Sequence, residues 1–126
     1  MTGATGPTGP VSDSRAPSFS KLTCRVIKVP SNRRIRVVRV FCRGGDCRIR
    51  KATAFFTVGG KTSRGRTTFR ASSFPSGSSA VTKVVVPKRV YRRLKSRKSG
   101  SLNVTVLATS SNGTRNQNTL RNGLRR

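Results

Sequence analysis

The chain has 126 residues, 33% of them hydrophobic and 6% aromatic, and sets 28 lysines and arginines against two acids, Asp13 and Asp46, for a formal net charge of +26. With no histidine and no glutamate, general acid–base catalysis loses its usual groups, and the two aspartates stand in a tail and a tight loop, so an enzyme is not expected. Nearly every cation lacks an ionic partner; the charge therefore acts on association, repelling copies of the chain and attracting polyanions. No run approaches the roughly 18 apolar residues of a membrane span, and the start MTGATGPTGP lacks the basic and apolar regions of a signal peptide.

Residues 1–18 are rich in glycine, proline, serine and threonine, a composition that cannot build a packed core. GATGPTGPV spaces Gly3, Gly6 and Gly9 at the Gly-X-Y period of collagen, with Pro7 and Pro10 beside two of them. Three triplets are too few to hold a triple helix unaided. An extended arm that docks on neighbouring copies is the expectation, with a domain over 19–126.

From Phe19 the pattern turns to short β-rich runs divided by turn residues. The first predicted strand, KLTCRVIKV (21–29), sets Leu22, Cys24 and Val26 against Thr23, Arg25 and Ile27, and stops at Pro30-Ser31-Asn32. RIRVVRVFC (34–42) alternates isoleucine and valine with arginine, then changes phase at Val37-Val38, the mark of a β-bulge. CRIRKATAFFTV (47–58) changes phase near Lys51 and ends at Gly59-Gly60. Further strands are placed at TTFRASSF (67–74), AVTKVVV (80–86), LNVTVLAT (102–109) and QNTLRN (117–122). In LNVTVLAT, Leu102, Val104, Val106 and Ala108 face one way. Between two of these runs, PKRVYRRLKSRKSG (87–100) reads as one or two basic helical turns. Pro87 takes the first helical position, Val90 and Leu94 share a face, and Gly100 ends the segment. Six or seven strands at this spacing predict an all-β, immunoglobulin-like antiparallel β-sandwich with its arginines on the outer faces and most of Phe19, Phe41, Phe55, Phe56, Phe69 and Phe74 in the core.

Cys42 and Cys47 bracket Arg43-Gly44-Gly45-Asp46, read as a hairpin loop whose flanking side chains come within disulfide reach. So short a loop makes the bond worth about 2 kcal/mol. Cys24–Cys42 is the alternative pair, and either pairing leaves one thiol that could link two chains. Zinc would need a fourth ligand, and the chain has no histidine, so no metal site is expected. A phosphate-binding glycine loop is missing as well, and no cofactor is expected. Two sequons, at Asn103 and Asn112, matter only in a glycosylating host. CRGG, a lone Arg-Gly-Gly, is a weak signal for RNA. The densest cationic cluster, and so the polyanion-binding candidate, is Lys88, Arg89, Arg92, Arg93, Lys95, Arg97 and Lys98.

RVFCRGGDCRIRKATAFFTVGGK and SSAVTKVVVPKRVYRRLKSRKSGSLNVTVLATSSNGT together resemble the arginine-rich immunoglobulin-like or fibronectin-III-like modules of actinobacterial surface proteins and associated phages. The pattern is a strand ending in Cys42, a glycine loop and Cys47. It continues with Val84-Val85-Val86, a basic helical turn ending in Leu94, and a Leu102/Val104/Val106 strand. Cys24 departs from that pattern. The resemblance implies a non-enzymatic module for display, adhesion or assembly, at the cell surface, outside the cell or on a virion. Expected partners are copies of the chain itself in an oligomer or filament, a trimer included, and an anionic surface or polymer. Nucleic acid is the competing partner.

Overall fold

Alternation of valine or isoleucine with arginine or threonine suits a pleated strand with one face buried, and the chain uses it throughout. The computed structural model describes residues 15–126 except 71 and 98. Gly3, Gly6, Pro7, Gly9 and Pro10 of the arm, and Lys98 of the basic cluster, therefore lie outside the described residues. In chain order the elements are β1 (Ser18–Lys21), β2 (Val26–Lys28), β3 (Arg34–Phe41), β4 (Cys47–Val58), β5 (Lys61–Thr68), β6 (Ser79–Val85), α1 (Lys88–Arg97), β7 (Ser99–Ser110) and β8 (Arg115–Arg125). Among the described residues the strands form one eight-stranded sheet in the order β1-β3-β6-β5-β4-β7-β8-β2.

That sheet folds over on itself at β5. Lys61–Gly65 pairs with β4, whereas Arg66–Thr68 pairs with β6, so one strand serves both layers. Gly65 stands at the change of partner, and the buried Phe56 ring fills the space that a Cβ would need there. The layer β1-β3-β6 thus faces the layer β4-β7-β8-β2. Inward residues of both meet in one core, including Ile35, Val38, Val40 and Val84 from the first and Ile49, Phe56, Leu102, Val104 and Leu124 from the second. Burying each such side chain contributes about 1.5–3 kcal/mol, which makes apolar burial the main force in a chain almost without acids. Helix α1 closes one end of the sandwich with Val90 and Leu94.

Both expected bulges are present: register shifts fall between Arg36 and Val38 and between Ile49 and Lys51. The first lets Val37 and Val38 both enter the core. All-β architecture, the buried pair of α1 and the inward row of β7 match the sequence.

Several expectations change. Eight strands replace six or seven, because the segment 21–29 is broken and β5 lies upstream of the expected 67–74. The break is a crossing from one layer to the other. Leu22, Cys24 and Val26 are exposed while Ile27 and Val29 are buried, and Asn122 Nδ2 donates to the Cys24 carbonyl at 2.6 Å within the crossing. Strand β2 then joins β8 in parallel, so the sandwich is not purely antiparallel. Gly59 and Gly60, at φ 60° and 79°, make a hairpin turn into β5 rather than a stop. Cys42 and Cys47 do not flank a hairpin: β3 and β4 lie in different layers and do not pair. Helix α1 runs for ten residues, starts after Pro87 and ends before Gly100, which belongs to β7. Phe41 and Phe55 are 39% and 42% exposed, outside the core assigned to the phenylalanines. Ser18 opens β1, and just before it Asn116 Nδ2 donates to the Pro17 carbonyl at 2.9 Å.

Candidate polyanion-binding surface

On α1, Lys88, Arg89, Arg92, Lys95 and Arg97 are exposed and Arg93 is half-buried. Lys88, Arg92 and Lys95 follow one another at helical spacing directly opposite the Val90–Leu94 stripe, so they form the outermost row. These like charges, three and four residues apart, oppose the isolated helix by about 0.2–0.5 kcal/mol per pair. No acid occupies the first turn, although Lys95 and Arg97 suit the negative end of the helix dipole. Packing of Val90 and Leu94 against β4 and β7 holds α1 in spite of its charge.

A second group of cations was not singled out in the sequence. On the outer face of β1-β3-β6, register sets Arg36 of β3 directly opposite Lys83 of β6 and places Arg34 opposite Val85, itself opposite Arg66 of β5. Arg39 continues the row, between Val81 and Ser20. Five cations on one sheet face, with Arg36 and Lys83 directly paired, repel one another. The alternating arginines of β3 are legible in RIRVVRV; that Lys83 and Arg66 join them depends on strand order, which the sequence does not display.

This face continues towards the helix. Arg33, Arg64, Arg66 and Lys88 line one depression of about 570 Å³ with Gly65 and Pro87. Arg33 holds a left-handed backbone at φ 61°, and its Nη1 donates to the Val86 carbonyl at 2.8 Å, which fixes the guanidinium at the layer corner. The cations of β3, β6, β5 and α1 thereby form a single basic tract.

The opposite outer face differs. Its central rows are Thr53–Thr105–Thr119 and Thr62–Thr57–Ser101, with hydroxyl contacts of 3.1 Å for Thr105–Thr119 and 3.0 Å for Thr57–Thr62. Exposed Phe55 sits beside Asn103 and Arg64 there. Cations stand around these rows too, with Arg48 and Arg115 on either side of Thr109, Lys51 opposite Leu107 and Arg121 opposite Asn103, so both outer faces are basic and differ in the hydroxyl rows of this one.

Cys42 and Cys47 are joined by a disulfide with Cα atoms 5.6 Å apart, tying the end of β3 to the start of β4 across the layers. Cys24 is a free, exposed thiol. Among the described residues no group of three His, Cys, Asp or Glu could hold a metal ion, and no helix is long and apolar enough to cross a membrane.

No family model matches the chain, and no curated protein matches it. Among solved structures, the collagen-binding subdomain ACE19 of the Enterococcus faecalis surface protein ACE aligns over 90% of this chain and 99% of its own, at 8% identity and a TM-score of 0.32. So loose a superposition carries no argument about what this chain does.

Proposed function

We propose that this chain is a non-enzymatic adhesion module that holds an anionic polymer along the tract running from the β3–β6 face over the Arg33–Arg66 corner onto α1. One observation carries it: cations from four elements converge on that tract, and among them Arg36 and Lys83 are directly opposed across β3 and β6 with no acid on either strand. Like charges placed together weaken the fold, and a bound polyanion relieves the repulsion while releasing its own counterions. The setting is extracellular, on a cell envelope or a particle. The Cys42–Cys47 disulfide supports that placement, since such bonds persist in oxidising surroundings.

The test pairs binding with stability. Replacing Arg36→Thr and Lys83→Thr should lower affinity for a sulfated or phosphorylated polymer at physiological salt by about tenfold or more. The same change should leave the thermal midpoint unchanged or raise it, because both residues suit a strand and the repulsion is gone. Unchanged affinity in a folded variant would sink the proposal.

A second reading, a structural subunit that assembles through the arm, is favoured by how the arm joins the domain. The Arg15 carbonyl accepts from Asn112 Nδ2 at 3.1 Å, and the chain then enters β1, which among the described residues is an edge strand paired on one side only. An edge of that kind can take up a strand from another copy. Removing residues 1–14 should then abolish oligomers seen by light scattering while leaving polyanion binding intact; a full chain that stays monomeric at every concentration and salt removes this reading.

A further inference from the structure

A separate depression of about 820 Å³ opens where α1 meets β2 and the end of β8. Lys28, Lys95, Arg125 and Arg126 line it from three parts of the chain, with buried Leu94 and Val29 among its walls and no acidic side chain among the described residues. Parallel pairing makes Lys28 and Arg125 direct neighbours, and the Val29 amide donates to the Arg125 carbonyl at 2.9 Å. The Arg126 guanidinium lies 4.6 Å from the centre of the half-buried Tyr91 ring. Stacking of that kind restrains the guanidinium while leaving its N–H edge free to donate.

We propose that this cleft seats a phosphate of a polyol-phosphate polymer, an inference that rests on the polyanion-binding reading and names the ligand class. Four cations lining one cleft from three segments suit a tetrahedral oxyanion, which offers oxygens in all directions. A planar carboxylate would satisfy only one or two of them. Nucleic acid fits less well. Tyr91 is the only aromatic lining the cleft, its ring already carries Arg126, and an unstacked base finds no second platform. A phosphodiester chain without bases needs none.

The experiment uses the whole chain and two probes: a glycerol-phosphate oligomer too short to span from the cleft to the β3–β6 face, and a long glycerol-phosphate polymer. NMR titration with the short oligomer at about 50 mM salt should shift amides around Tyr91 and Arg125. Lys95→Gln with Arg125→Gln should weaken that binding about tenfold or more, whereas Lys95→Arg, which keeps the charge, should retain it. Arg36→Thr with Lys83→Thr should leave the oligomer-induced shifts around Tyr91 and Arg125 unchanged while weakening the long polymer. The cleft assignment falls if the short oligomer binds the folded Lys95→Gln/Arg125→Gln variant as well as it binds the parent chain. It also falls if a single-stranded oligonucleotide of equal phosphate number binds more tightly through those same residues. Should the parent chain bind no long polymer at all, the polyanion reading falls too; should only the β3–β6 variant affect the long polymer, the cleft alone is lost.

Discussion

Gly65 occupies the point where β5 leaves one layer for the other, with the Phe56 ring over it in place of a side chain. Phe56 is fully buried and cannot swing away. Gly65→Ala should therefore cost about 1–3 kcal/mol by overpacking, read as a lower denaturation midpoint with an unchanged slope. Nothing in KTSRGRTT announces that role, because the residue that claims the space lies on the neighbouring strand. The Cys42–Cys47 bond was legible as a pair, although its setting was not. A four-residue gap brings two cysteines together whether the flanking strands pair or part into separate layers, and here they part. Reducing it should lower stability by about 2 kcal/mol, roughly 8 °C in the thermal midpoint of a domain this size.

Helix α1 separates stability from binding. Its apolar pair was evident from spacing alone, and Leu94→Ala should cost about 2–5 kcal/mol, since the side chain is fully buried over the end of the sandwich. Arg92→Glu should do the opposite. It exchanges repulsion with Lys88, Arg89 and Lys95 for attraction, worth on the order of 1 kcal/mol in total, while weakening polyanion binding. A variant more stable yet poorer at binding would mark these charges as serving a ligand rather than the fold; equal affinity would confine the tract to the β3–β6 face. The strands were read with similar success where one buried row repeats, as in β7. They were misread where few apolar residues exist, as in β5, whose one buried residue is Ser63.

Across the molecule, the +26 charge predicts opposite responses to salt. Screening should raise the thermal midpoint, by on the order of 5 °C between low and physiological ionic strength, because repulsion within the folded state fades. Polyanion affinity should fall over the same range, as counterion release becomes less favourable. Calorimetry beside a binding titration at matched salt checks both signs. With no histidine in the chain, binding should stay level between about pH 5 and pH 8.

Side-chain order along the chain was enough to specify the all-β class, the two bulges and the apolar pair of α1, and to favour the Cys42–Cys47 bond over Cys24–Cys42, because each depends on neighbours a few residues apart. Tertiary structure decided the rest. Which strands lie side by side is set by how the whole sheet closes on one core, and that closure brought Lys83 against Arg36, Arg66 to the corner, and Lys28 to Arg125 beside α1. The basic tract and the cleft lined by Lys28, Lys95, Arg125 and Arg126 are products of pairing between residues far apart in the chain, which no local periodicity encodes.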